Sequence, residues 1–213
     1  MKKYLLVLDV DSTMIEQEVI ELLADRVGLK AEVKSVTDKA MAGEIDFREA
    51  LLHRVRLLRD LKANVFNELL SEITVTEGVP ELISAVQNSG GMVGAISGGF
   101  SQVLEPLANR LGLDFYLANE LEVIDGLITG HISGDIVDAE MKARTLLHWA
   151  SVHGFDNLDT VAVGDGANDI LMVEAAGFGV AFRPKDALRP HADLIIEGAS
   201  LAPLISELEL RSS

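Results

Sequence analysis

Asp9 and Asp11 stand one residue apart at the end of the apolar stretch "LLVLDVD". Residues 4–10 read as a buried β-strand. Side chains at i and i+2 of a strand face the same way, so the two carboxylates are expected to project together. Two anions that close repel unless a cation or a shared proton joins them. The stretch therefore points to a bound cation and to acid–base work.

Two further strand ends carry residues of the same kind. "GMVGAI" is followed by Ser97, Gly98 and Gly99, and "TVAV" by Gly164, Asp165, Gly166, Asn168 and Asp169, each leading into a helix. Any one of these alone is an ordinary turn or helix cap. Their recurrence at three strand ends argues for a site, because ligands of open α/β sheets bind outside the carboxyl ends of the strands. Asp9 and Asp165 together make a hard oxygen site of the kind magnesium prefers. Gly98, with the amides at the start of the following helix, makes an anion cradle, and Ser97 adds a hydroxyl. A phosphate held there would face a carboxylate nucleophile, with a second carboxyl group two residues on to move the proton. A phosphate monoester beside these acids needs one more positive charge. Lys142, in "EMKARTLLHWA", is the candidate; Arg144 points away from it along the helix and reads as a surface charge.

The elements that must hold these residues follow from the periodicity. After the first strand the pattern turns helical from 16 to 74: Val19, Leu22, Leu23 and Val27 share one stripe, and Phe66, Leu69, Leu70 and Ile73 another. No strand-like run interrupts this stretch, and Asp46 is a plausible helix N-cap. From residue 79 onward helices and strands alternate, with Asp125-Gly126 as a hairpin turn. Such alternation implies a doubly wound, mostly parallel α/β sheet, a Rossmann-like core. We therefore expect a catalytic core over residues 1–15 and 75–213, an all-helical cap over 16–74, and a small β-hairpin. Arg48, Arg54, Arg56, Arg59 and Lys62 gather in the cap. Most of them belong to a solvated face, but Arg54 could turn toward the site and grip a substrate carboxylate in two places.

Composition narrows the partners. The 213 residues carry 34 acidic against 18 basic side chains, a formal net charge of -16, with no cysteine. That surface disfavours nucleic acid and anionic membranes, and disulfide or thiolate chemistry is excluded. No apolar run approaches the roughly 20 residues of a membrane span, and the short run after Lys2 and Lys3 is no signal peptide. A cytoplasmic protein with a small-molecule partner, monomeric or homodimeric, is expected.

The motifs together resemble the haloacid-dehalogenase-like phosphotransferases: D-x-D-x-T as Asp9-Val10-Asp11-Ser12-Thr13, then Ser97, Lys142, and G-D-x-x-N-D over residues 164–169. Within that superfamily "DVDST" with Glu18, "AMAGEIDFREALLHRVRLL", "SGGF" and "DGAND" resemble the phosphoserine phosphatase family. The resemblance implies Asp9 as nucleophile and Asp11 as general acid and base. It implies magnesium held by Asp9, the Asp11 backbone carbonyl and Asp165, with Asp169 supporting that site from behind. Ser97, Gly98, Lys142 and Asn168 would hold the phosphate end. Glu18 would meet the substrate ammonium and Arg54 its carboxylate, with Met41 and Phe47 closing over it. Some bacterial members carry a regulatory domain ahead of the catalytic one; with the first strand at residue 4, none is expected here. Two other readings share these residues. One is a phosphotransferase that passes the group to another small alcohol such as homoserine. The other is a phospho-accepting signalling receiver, which lacks both a cap and an equivalent of Asp11.

Overall fold

The structure, a computed structural model, describes residues 1–212. Seven strands, β1 (Leu5–Leu8), β2 (Met92–Phe100), β3 (Phe115–Ile124), β4 (Leu127–Ser133), β5 (Thr160–Gly164), β6 (Phe178–Phe182) and β7 (Leu194–Ile196), form one sheet in the order β4-β3-β2-β1-β5-β6-β7. Every neighbouring pair is parallel except β3 and β4. β1 sits at the centre with both faces covered. Leu6 and Leu8 enter one apolar cluster, Leu5 and Val7 the other, and all four are fully buried. Such burial contributes roughly 1.5–3 kcal/mol per side chain, which anchors β1 firmly and fixes where its polar continuation emerges.

Helices α1 (Val19–Asp25), α2 (Lys30–Met41), α3 (Phe47–Arg56) and α4 (Val65–Glu72) occupy the stretch between β1 and the helix that precedes β2. That helix, α5 (Val79–Asn88), together with α6 (Ser101–Leu111), packs on the Leu6/Leu8 face of the sheet. α7 (Ala139–His153) and α8 (Ile170–Ala175) cover the opposite face, and α9 (Pro203–Leu210) returns to the first. The helical stretch is not sealed off by a core of its own. Leu23, Val33, Leu51, Val55 and Leu69 belong to the same continuous cluster as Leu6 and Leu8. Asp46 caps α3 as expected, its side chain accepting from Glu49 N at 2.8 Å.

Two boundaries differ from the sequence expectation. β1 ends at Leu8, not at residue 10, and residues 10–14 form a wide irregular turn in which Ser12 has φ 58°. β2 runs on through Phe100, so "SGGF" belongs to the strand's irregular end and α6 begins only at Ser101. The Asp125-Gly126 turn is as read: φ is 52° and 77° at the two residues, the left-handed pair that a two-residue hairpin demands. The hairpin is also tied to the helical stretch. Asp60 N donates to Ile128 O, Ile128 N to Leu61 O and Ala63 N to Gly126 O, each at 2.9 Å, which pairs both backbone groups of Ile128 on the outer edge of β4.

Candidate active site

Three adjacent parallel strands bring distant residues together. β1 is flanked by β2 and β5 in a register that pairs Leu8 with both Ala95 and Val163. Their carboxyl ends therefore deliver Asp9, Ser97 and Asp165 side by side. Asp9 N still donates to Val163 O at 2.8 Å, so Asp9 is locked to the sheet although it follows the strand. The Asp9–Asp11 proximity does not come from strand alternation. It comes from the wide turn, where Ile15 N reaches back to Val10 O at 3.0 Å and Asp11 Oδ1 accepts from Val19 N at 3.0 Å. Asp11 thereby also holds the first turn of α1, and Ser12 Oγ donates to Glu18 Oε1 at 2.6 Å.

Lys142 is fully buried in the first turn of α7, a helix capped by Asp138. Its Nζ donates to Asp9 Oδ1 and, at 2.7 Å, to Asp169 Oδ1. The other oxygen of Asp169 accepts from Asp165 N at 3.1 Å and Gly166 N at 3.2 Å. Asp169 thus fixes both the cation and the Asp165 turn and has its own oxygens engaged. Ser97 Oγ accepts from Gly99 N at 2.8 Å. Gly99 N–H is thereby spent, and the amides opening α6 lie beyond Phe100.

The helices close the site from above. A small cavity of about 30 Å³ is lined by Asp9, Asp11, Glu18, Arg54, Gly98 and Asn168, with Met41, Phe47 and Thr37 among its other walls. A Cβ placed on Gly98 would meet Phe47 Cζ at 2.6 Å, and one on Gly166 would meet Met41 Cε at 2.7 Å. Two glycines of the sheet edge are therefore the surfaces on which two helical side chains rest. Arg54 is only 4% exposed. The exposed Arg48, Arg56, Arg59 and Lys62 form a solvated face, as expected.

The electrostatics follow from burial. Asp9 is pushed up to about 7, first by burial and next by the Asp169 charge, against the pull of Lys142. Burial, then the Glu18 and Asp9 charges, holds Asp11 well above the usual carboxylate range. Burial raises Asp165 as well, with Asp169 and Asp9 adding to it, and Glu18 is raised chiefly by burial. Lys142 is raised because its two carboxylates outweigh its own burial. Removal from water lowers Arg54, opposed by Glu18 and Asp11. Acids thus outnumber the buried cations, and the folded chain favours their protonated forms unless further positive charge arrives.

A metal fits this arrangement. Oxygens of Asp9, Asp165 and Asp169 lie within 4.8 Å of one another, all buried. Asp165 Oδ1 is a buried acceptor with no hydrogen-bond donor among the described residues, a costly state that a hard cation relieves. Asn168 Oδ1 and Thr13 Oγ1 are likewise buried and unpartnered.

Several contributors carried little signal in the sequence. Asn119, fully buried, donates from Nδ2 to Gly98 O and accepts at Oδ1 from Val137 N, both at 2.8 Å, joining the Ser97–Gly99 turn to the lead into α7. Its stretch "LANEL" reads only as strand. Thr37, which bonds Arg54, lies four residues after Val33 on the buried stripe of α2. A hydroxyl on that stripe is the one cue available.

The sequence model for haloacid dehalogenase-like hydrolases matches residues 6–174, spanning all three strand ends. The chain belongs to this family. This haloacid dehalogenase-like hydrolase is 46% identical over 209 residues to a phosphoserine phosphatase of Archaeoglobus fulgidus, covering 98% of this chain and 61% of that protein. A phosphoserine phosphatase of Streptococcus thermophilus is 42% identical over 207 residues, 97% of this chain and 96% of that one. A substrate-bound phosphoserine phosphatase structure superposes with a TM-score of 0.93 at 39% identity, covering 97% of this chain and 99% of its own. The hydrolase spans about three fifths of the Archaeoglobus relative and 47% of a Mycobacterium tuberculosis one. Among its described residues no helix is long and apolar enough to cross a membrane.

Proposed function

We propose that the chain hydrolyses O-phospho-L-serine to L-serine and phosphate through an aspartyl-phosphate on Asp9. The observation that carries this reading is the placement of Glu18 and Arg54, opposite charges, in one cavity with Asp9 and Asp11. A zwitterion bearing a phosphate suits that charge pattern, and the relatives named above are phosphoserine phosphatases.

Asp9 Oδ1 is tied to Lys142, which leaves Oδ2 to attack phosphorus. As that O–P bond forms, the bond from phosphorus to the seryl oxygen breaks, and Asp11 gives its proton to that oxygen. Its raised proton affinity, caused first by burial and next by the Glu18 charge, suits Asp11 to carry this proton. In the second step Asp11 takes a proton from water as the water oxygen attacks phosphorus, releasing Asp9 and phosphate. Ser97, Gly98, Lys142 and Asn168 orient the phosphate. Met41 and Phe47 keep bulk water out. Magnesium would be held by Asp9, the Asp11 carbonyl and Asp165, supported by Asp169, and it would supply positive charge against the phosphate oxygens.

Residues 1–15 with 75–213 act here as the catalytic core and 16–74 as its cap. The reading has the enzyme working in the cytoplasm, as monomer or homodimer, on a small molecule rather than nucleic acid. Phosphate release should be screened over phosphoserine, phosphothreonine, phosphoethanolamine and sugar phosphates, with and without magnesium. Phosphoserine is expected to lead, dependent on the metal. A preference for sugar phosphates would overturn the Glu18 and Arg54 assignments.

A further inference from the structure

Arg54 is a buried cation of the helical stretch, and two of the five N–H groups of its guanidinium are held. Nε donates to Ala50 O, one turn back on α3, at 3.0 Å, and Nη1 donates to Thr37 Oγ1 on α2 at 2.8 Å. The Thr37 hydroxyl donates in turn to Val33 O at 3.0 Å. A hydroxyl has one proton; with that proton committed to Val33, the oxygen can only accept, as a guanidinium N–H requires. The chain Val33–Thr37–Arg54 is thus directional, and it crosses from α2 to α3. Thr37 is 2% exposed and, like Arg54, lines the cavity. The second N–H of Nη1 and both of Nη2 have no hydrogen bond among the described residues.

We infer that Thr37 is a specificity-determining positioning residue: its hydroxyl fixes the Arg54 guanidinium so that the remaining Nη edge is set to grip the substrate carboxylate. The inference rests on the assignment of Arg54 to that carboxylate. Arginine is rich in rotamers, and a bidentate carboxylate contact needs two N–H groups in one plane. Anchoring Nε and Nη1 before the substrate arrives removes that ordering cost from binding. Valine at position 37 would fill the same space but leave Nη1 without its acceptor and the guanidinium free to turn.

The test compares phosphoserine with phosphoethanolamine, which keeps the phosphate and ammonium groups and lacks the carboxylate. In Thr37→Val the preference for phosphoserine, as a ratio of kcat/KM values, is expected to fall about tenfold, the scale of one hydrogen bond to a charged group. The loss should appear in KM with kcat little moved. Competitive inhibition by serine against ethanolamine reads the same ratio through binding alone. Thr37→Ser, which restores the hydroxyl, should keep the wild-type ratio. A purely structural role would weaken both substrates alike and leave the ratio standing. If circular dichroism shows Thr37→Val unfolded, Thr37→Ala asks the same question without the added methyl.

A ratio within about twofold of wild type in the folded variant, well below the scale of such a hydrogen bond, overturns the inference. So does an equal loss in Thr37→Ser. Arg54→Lys separates the two levels. If it leaves the preference unchanged, the carboxylate assignment itself fails. If it lowers the preference while Thr37→Val does not, only the role of Thr37 fails.

Discussion

At the scale of single residues, the site is a group of acids sharing too few cations. Asp9 and Asp169 pair with Lys142, Asp165 lies beside those two acids, and Asp11 and Glu18 line the same cavity as Arg54. Replacing Asp9 by Asn removes the nucleophile and one acid while keeping size and shape. We expect Asp9→Asn to retain its circular dichroism spectrum and to lose at least ~10⁴-fold in kcat. Appreciable retained turnover would refute Asp9 as nucleophile. Asn119 sets a different kind of test, because it touches no reacting group. Asn119→Ala would take the partner from Gly98 O, part-buried, and leave Val137 N buried and unpaired, the latter at about 1–3 kcal/mol. Urea denaturation should report that loss, and kcat should fall with it as the phosphate-binding turn loosens.

At the scale of elements, closure depends on how the helices rest on the sheet edge. Phe47, the first residue of α3, lies directly over Gly98. Gly98 is not among the glycines with positive φ, so alanine meets no backbone objection there. The nearest obstacle is the Phe47 ring. Gly98→Ala should therefore push Phe47 out and lower kcat/KM by about 10–100-fold, the effect of a misplacement near 1 Å. Adding Phe47→Ala should cost less than the two single losses combined, because the clash is then gone. Additive losses in steady-state kinetics would mean that Gly98 serves some other purpose. A further attachment, from residues 60–63 to Gly126 and Ile128, is made of backbone hydrogen bonds, which a side-chain substitution would not cut.

At the scale of the whole molecule, the buried acids set how stability varies with pH. In the folded chain Asp9 keeps its proton up to about 7, whereas in the unfolded chain it loses it near its ordinary value of about 3.9. Between those values the folded state binds more protons, so stability falls as pH rises. Asp11, Glu18 and Asp165, all raised, act in the same sense, as does self-repulsion at a net charge of -16. Lys142 is also raised, but its contribution is lost only at strongly alkaline pH, outside this window. The chelator-treated protein should therefore melt at least ~3 °C higher near pH 5.5 than near pH 8, the response of a chain this size to about 1 kcal/mol. Divalent cation should raise the melting temperature more at the higher pH, where fewer protons compete for its ligands. Scanning calorimetry at both values, with and without magnesium, checks the sign.

The positions of Asp9, Ser97, Asp165 and Lys142 were legible in the sequence because each lies at or near one end of a strongly patterned element. A buried strand such as "LLVL" fixes where its polar end emerges, and parallel order places such ends on one edge. The helical stretch and the Asp125-Gly126 hairpin could be read for the same local reason. Tertiary structure alone decided the rest. Asp11 meets Asp9 through a wide turn held by Val19 rather than through strand alternation. Phe47 finds Gly98 across 51 positions of sequence, and Asn119 joins two loops that periodicity treats as unrelated. Thr37 looks like one more residue on a helical stripe until Arg54, 17 residues on, is folded against it. Periodicity records which face of an element is buried; it holds no record of which buried polar groups meet there.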